Sequence, residues 1–213
     1  MQPCLFIWIP KTAGTSIVEA CSTADGGEMS DEKKRDEPIA RSDGDAFWCV
    51  VHRSCGDFRR RGVLAEEEVQ RRFVFTFVRN PWDRMVSVFS YARNHAVIKH
   101  TFIAEKLDTF EAFVRCVTCE PIDPVWHYRY LGLSIANPQS DWLRGIDVDY
   151  IGRFERLNDE WDMLCRKLGI ANEPLPHRLK SRRGEYAEYY TAETRRLVAR
   201  FCAEDIDRFG YTF

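Results

Sequence analysis

The sequence predicts an α/β fold: one domain over residues 1–213, with a mostly parallel central sheet flanked by helices. Three observations carry this. Phe73-Val74-Phe75-Thr76-Phe77-Val78 favours strand throughout and shows no polar alternation, the pattern of a strand covered on both faces of a parallel sheet. Near the start, an apolar run breaks at Pro10 into Lys11-Thr12-Ala13-Gly14-Thr15-Ser16 and then turns apolar again, which reads as strand, turn and helix N-terminus. Strand-like and helix-like segments alternate down the rest of the chain. In such sheets ligands gather at the carboxyl ends of the strands.

Taken in order, Leu5–Ile9 is the first strand, and a helix follows from about Thr15 to Cys21. Ser22–Asp45 is polar, charged and without apolar periodicity, so a long mobile loop is expected there, bordering the ligand crevice. Ala46–Val51 is the next strand and Leu64–Arg72 a short helix. After the Phe73 strand, Asn80 suits an N-cap, Pro81 a first helical position and Asp83 the first turn. Asp108 to Glu111 reads as a capping box before Phe110, Phe113, Val114 and Val117, which share one helical face. Leu157, Trp161, Leu164 and Leu168 form a second stripe, stopped by Gly169. Thr191 begins the last helix and Gly210 ends it, and no internal repeat is evident.

Composition narrows the function classes. The net charge of −2 supplies no global field for nucleic acid or an anionic membrane, and no apolar stretch reaches spanning length. The start lacks the charged and apolar regions of a signal peptide, so a cytoplasmic protein is expected. On that reading the 8 cysteines are reduced thiols. Cys116-Val117-Thr118-Cys119 has C-x-x-C spacing, but no second pair or close histidine completes a zinc site.

The turn after the first strand has the chemistry of an anion cradle. Backbone N–H groups and a positive helix end converge on such a turn. Gly14 lets the backbone approach closely, Lys11 adds charge, and Thr12, Thr15 and Ser16 add hydroxyls. It is not the nucleotide loop G-x-x-x-x-G-K-[ST], because the lysine opens the loop and no glycine precedes it. The plainer alternative is a strand-to-helix turn with an incidental lysine. In the second motif, Arg79 sits at the end of the Phe73 strand, and Arg84 and Ser87 share one face of the following helix. Arg79 and Ser87 together suit a second phosphate; the alternative is that Arg79 and Arg84 pair with carboxylates.

The two motifs together resemble a known family. Ile9-Pro10-Lys11-Thr12-Ala13-Gly14-Thr15-Ser16 is similar to the 5′-phosphosulfate loop of the sulfotransferases, and Phe77 through Ser87 to their 3′-phosphate motif. Asn137-Pro138-Gln139-Ser140-Asp141-Trp142-Leu143, Tyr150–Leu157 and Ala203–Tyr211 resemble segments of the carbohydrate branch related to heparan sulfate 2-O-sulfotransferase. The resemblance implies a P-loop-like sulfotransferase fold and the donor 3′-phosphoadenosine 5′-phosphosulfate (PAPS), with no metal required. It implies that Lys11, Thr12, Ala13, Gly14, Thr15 and Ser16 hold the 5′-phosphosulfate and that Arg79 and Ser87 hold the 3′-phosphate. Lys180, Ser181 and Arg182, within a basic segment, are similar to the family's donor-covering loop.

His52 follows the Ala46–Val51 strand and is therefore expected at a strand's carboxyl end, where a histidine suits proton abstraction near neutral pH. The resemblance supports this position, since related chains place a histidine between the loop and the Arg79-type motif. His52 is the expected base and Lys11 the group that meets charge on the leaving bisphosphate; Glu19 is a weaker candidate base. His127 and Trp142 are the expected acceptor contacts, the acceptor being a hydroxylated glycan, glycolipid or small metabolite. Two other classes fit less well. A small-molecule kinase needs a Mg²⁺ carboxylate, for which Asp83 is the nearest candidate. A catalytically silent nucleotide-binding module would bind the bisphosphate without turnover.

Overall fold

The computed structural model describes residues 1–27, 39–42, 44–51, 62, 64–94, 108–119, 133–176 and 184–213. They fall into two compact units, Met1–Val78 with Trp142–Leu179 and Arg79–Asp141 with Lys180–Phe213.

The first unit holds the sheet. Its strands are β1 (Cys4–Trp8), β2 (Ile39–Arg41), β3 (Phe47–Val51), β4 (Phe73–Val78) and β5 (Tyr150–Arg153), in spatial order β2-β3-β1-β4-β5. β3, β1, β4 and β5 run parallel, and β2 lies antiparallel along β3. The predicted α/β architecture with a mostly parallel sheet is what forms. β1 lies between β3 and β4, with Cys4 opposite both Phe47 and Phe73. The chain therefore leaves β1 toward one side and later returns to its other side. A topological switch point opens at the carboxyl end of β1.

Among the described residues, the helices of this unit are α1 (Gly14–Ala24), α2 (Glu66–Gln70) and, after a 3₁₀ turn at Phe154–Arg156, the helix Leu157–Leu168. One face of the sheet packs Phe6, Phe47, Phe75 and Phe77 against Ile17 and Val18 of α1 and against Trp161, Leu164 and Leu168. Phe6 and Phe75 stack with ring centroids 5.1 Å apart. Thr76, the one hydroxyl in β4, satisfies itself by donating to the Ile7 carbonyl at 2.8 Å. Gly152 stands opposite Phe77 in β5, and a Cβ there would overlap the Phe77 ring. The Leu157–Leu168 helix stops at Gly169, which adopts the left-handed conformation (φ 66) expected of a terminating glycine.

The predicted loop Ser22–Asp45 is corrected at both ends. Helix α1 continues to Ala24, and Ile39–Arg41 forms the edge strand β2; residues 28–38 lie outside the described set. A three-residue strand has no periodicity to read; it exists because Ile39 faces Val50 across the β2–β3 pair. Asp25, just after α1, holds this corner. Its Oδ2 accepts the N–H groups of Ala46 and Phe47, each at 2.8 Å, and the hydroxyl of Ser42.

The second unit contains α3 (Pro81–Asn94), α4 (Phe110–Cys119), all but the last residue of the short α5 (Gln139–Trp142), a 3₁₀ turn at Tyr186–Tyr189, α7 (Ala192–Phe201) and α8 (Ala203–Phe209); α6 is the Leu157–Leu168 helix of the first unit. Asn80 caps α3 as expected, its Oδ1 accepting from Trp82 N at 3.0 Å and Asp83 N at 3.3 Å. The cap of α4 is Thr109, not Asp108: the Thr109 Oγ1 accepts from Ala112 N at 3.1 Å. The last helix is two helices, because Cys202 (φ −103, ψ 26) leaves helical geometry between α7 and α8. Thr191 does begin α7, in a reciprocal capping box with Thr194. Trp82, Tyr186 and Tyr190 meet Phe213 edge to face, with centroids 5.4 to 5.6 Å apart.

The described cysteines are free thiols, Cys119 exposed and the rest buried. Burial pushes the thiols of Cys4 and Cys202 up to about 12 from an ordinary value of 9.0. An unfolded chain would release these protons near pH 9, while the folded chain keeps them. Stability is therefore expected to fall as pH rises from about 9 toward about 12. Urea midpoints between pH 8 and 11 check this. The Cys4→Ala/Cys202→Ala double variant should show a shallower decline, and an unchanged slope would assign the decline to other groups.

Candidate functional site

The turn that opens α1 is built unlike an ordinary helix start. Lys11 and Ala13 are not glycines, yet both hold positive φ, at 71 and 69. A left-handed residue with a Cβ costs about 1–2 kcal/mol, so this turn stores strain. Left-handed residues in such a turn gather successive N–H groups toward one concavity, the geometry of an anion nest. Ala13 is also the N-cap of α1, and no side chain caps the helix there. The Ala13 carbonyl takes the N–H groups of Ser16 at 3.0 Å and Ile17 at 3.3 Å. Gly14 and Thr15, the first two helical residues, turn their N–H groups to the open end with the helix's partial positive charge. This open end lies beyond the carboxyl end of β1, at the switch point of the sheet.

Two of the hydroxyls assigned to an anion are committed elsewhere. Thr12 is fully buried and donates to the Ile9 carbonyl at 2.8 Å. Ser16 donates to the Pro176 carbonyl at 2.7 Å. In the described loop these hydroxyls hold its shape, and the hydroxyl at its half-buried surface is that of Thr15. Gly14 also has a neighbour the sequence did not announce: a Cβ there would overlap the Trp8 indole. Glycine is needed so that the last residue of β1 can pack on the first turn of α1.

His52 lies outside the described residues, as do His95, His100, His127, His177, Lys180, Ser181 and Arg182. What is described is the strand that leads to His52. β3 ends at Val51, one residue earlier, and Val51 is paired with Trp8 at the end of β1.

In the second unit, the Arg79 side chain is mostly buried, and its Nε donates to Asp83 Oδ2 at 2.7 Å. The carboxylate pairing weighed for Arg79 is real. It also aims the guanidinium and occupies the carboxylate that a kinase would need for Mg²⁺. Ser87 is buried on the same helix. Arg84 makes a different structural contact from the one considered. It is 2% exposed and donates to the carbonyls of Ile135 at 2.7 Å and Asn137 at 2.9 Å. Burial lowers its pKa, and the Asp205 carboxylate opposes that shift. Trp142 is corrected as an acceptor platform: at 1% exposed its ring is core and offers no face to a sugar. Sequence reasoning missed Gln139, whose side chain grips the Arg79 backbone on both sides of its Cα, because an isolated glutamine gives no periodic signal.

A family model described as "Sulfotransferase family" matches residues 2–212. No curated protein and no solved structure matches the chain.

The Trp8–Gly14 packing yields a double-mutant test. Gly14→Ala is expected to lower stability by about 1–3 kcal/mol through overpacking. Adding Trp8→Leu should recover part of that loss, since it removes the obstacle. Denaturant midpoints of the four proteins measure the coupling; strictly additive effects would mean that the indole is not what excludes a side chain at position 14.

Proposed function

The chain belongs to the sulfotransferase family, which transfers sulfuryl groups, and from that premise we propose that it moves a sulfuryl group from PAPS to a hydroxyl of a glycan, a glycolipid or a small metabolite. The observation that carries the reading is the uncapped, left-handed turn at Lys11–Ala13 at the end of the central strand. A turn that stores strain and leaves helix N–H groups open fits an external acceptor with several negative oxygens. The donor's 5′-phosphosulfate is such a group. The carbohydrate branch is favoured by the Asn137–Leu143 and Tyr150–Leu157 segments, which resemble that branch.

In this mechanism the backbone of Thr12, Ala13, Gly14 and Thr15 binds the phosphosulfate, and Ser16 keeps the loop in place. Lys11 sits in the same turn. Arg79, aimed by Asp83, holds the 3′-phosphate with Ser87 and distinguishes PAPS from nucleotides without that group. The acceptor oxygen forms a bond to sulfur, and the bond from sulfur to the bridging phosphate oxygen breaks. His52 takes the acceptor proton. The electron pair leaves with the bisphosphate oxygen, where Lys11 and the helix N–H groups stabilise the charge. The topology supports His52, since it follows a strand paired to β1. Lys180, Ser181 and Arg182 are proposed to cover the donor on the resemblance alone, and His127, in Trp126-His127-Tyr128-Arg129, to touch the acceptor. The protein is proposed to act in the cytoplasm; among the described residues no helix is long and apolar enough to cross a membrane.

Two measurements test this reading. 3′,5′-Adenosine bisphosphate should raise the melting temperature more than ATP or adenosine 5′-phosphosulfate; equal shifts with ATP would favour kinase chemistry. Lys11→Ala and His52→Ala should each lower turnover by about 10²-fold or more, while His52→Ala keeps bisphosphate affinity near wild type. Arg79→Ala should instead lose affinity. Full sulfate transfer by His52→Ala would remove it as the base and leave Glu19 or His127 to be examined.

A further inference from the structure

Gln139 is completely buried, and its amide makes two hydrogen bonds to the backbone of one residue, Arg79. The Arg79 N–H donates to Gln139 Oε1 at 2.8 Å, and Gln139 Nε2 donates to the Arg79 carbonyl at 2.8 Å. Arg79 directly follows β4, where the backbone has run out of strand partners. The glutamine side chain supplies the partner that a neighbouring strand would have given. Its orientation is dictated, because an N–H needs the oxygen and a carbonyl needs the NH₂.

Gln139 is itself seated by Asp205, which is also completely buried. Asp205 Oδ2 accepts from Gln139 N at 2.7 Å and from Gln139 Nε2 at 3.3 Å, and Oδ1 accepts from Ser140 N at 2.7 Å. The buried guanidinium of Arg84 interacts electrostatically with this carboxylate. A buried carboxylate with three donors and a nearby cation is well compensated, so the assembly is rigid rather than merely tolerated. Arg79 thus has two anchors: Asp83 on its Nε and Gln139 on both sides of its backbone.

We propose that Gln139, seated by Asp205, is a positioning residue for recognition of the 3′-phosphate, and so sets the preference for 3′-phosphorylated adenine nucleotides. The proposal rests on the reading of Arg79 as the 3′-phosphate ligand. The amide holds the N–H and the C=O on either side of the Arg79 Cα, from which the side chain leaves, and a guanidinium can match a phosphate only from a fixed origin. Removing the clamp lets that origin move without touching groups that hold the rest of the nucleotide.

The test compares affinities for 3′,5′-adenosine bisphosphate and adenosine 5′-phosphate by calorimetry. Wild type, Arg79→Ala, Gln139→Leu and the double variant are measured. Taking the ratio of the two affinities within each protein cancels any general loosening. Gln139→Leu should lose about tenfold of the wild-type preference with adenosine 5′-phosphate affinity unchanged. It should add no further loss in the Arg79→Ala background. If Gln139→Leu does not fold, Gln139→Glu replaces it, since it keeps the acceptor for the Arg79 N–H but loses the donor; it too should lose the preference. A wild-type preference that Arg79→Ala abolishes and the Gln139 variants retain overturns the proposal alone. Parallel weakening of both nucleotides overturns it too, in favour of a purely structural role. A wild type without any preference removes the 3′-phosphate role of Arg79, and the proposal with it.

Discussion

Parallel pairing of β1 on both of its edges is the constraint on which the rest depends. Cys4–Trp8 meets β3 along one side and β4 along the other. That arrangement places β1 at the centre of the sheet, where Leu5, Phe6, Ile7 and Ile9 have no exposed surface. It also forces the chain to leave the sheet from the middle. The turn at Pro10–Gly14 therefore emerges where parallel strands end on both sides, and α1 must pack back onto the same sheet. The geometry of an anion cradle is then a consequence of topology, with strain at Lys11 and Ala13 absorbed by the packing around it.

Polar side chains do the remaining positioning, and each spans a gap that regular structure leaves. Thr12 and Ser16 bond to the Ile9 and Pro176 carbonyls and keep the anion turn in one shape. Asp25 gathers two backbone N–H groups and a hydroxyl where α1 meets the β2–β3 corner. Gln139, seated by Asp205, holds the backbone of Arg79 just after β4. Thr12, Ser16, Gln139 and Asp205 are buried and satisfied, and a buried polar atom without its partner costs about 1–3 kcal/mol. Each network thus restricts the local backbone more sharply than apolar packing would.

Much of the fold was legible before any coordinates. The Phe73–Val78 run, the Asn80–Pro81 cap and the Leu157–Leu168 stripe ending at Gly169 appear as read, since each is a local pattern with a local cause. The errors share a different character. β2 is too short to carry a period and exists only as a partner to β3. The split at Cys202 leaves the hydrophobic pattern of the last helices intact. The α4 cap moved by one residue, from Asp108 to Thr109, because two capping side chains stand in a row and only geometry chooses between them.

For the site, sequence by itself determined the chemistry: a lysine and small residues after an apolar strand, an arginine at the end of another, and a histidine one residue past a third. These are fixed by residue type and by distance along the chain. Tertiary structure alone decided that the Ser16 hydroxyl is committed, since it donates to a carbonyl 160 positions away, whereas Thr12 is committed within its own turn, to Ile9. It alone put Trp142 in the core at 1% exposed and set the Trp8 indole where Gly14 has no side chain. It alone joined Gln139 to Arg79, 60 positions apart. The physical reason is that type and spacing are local, whereas burial and hydrogen-bond partnership belong to pairs of distant segments, and only the folded chain selects the pairs.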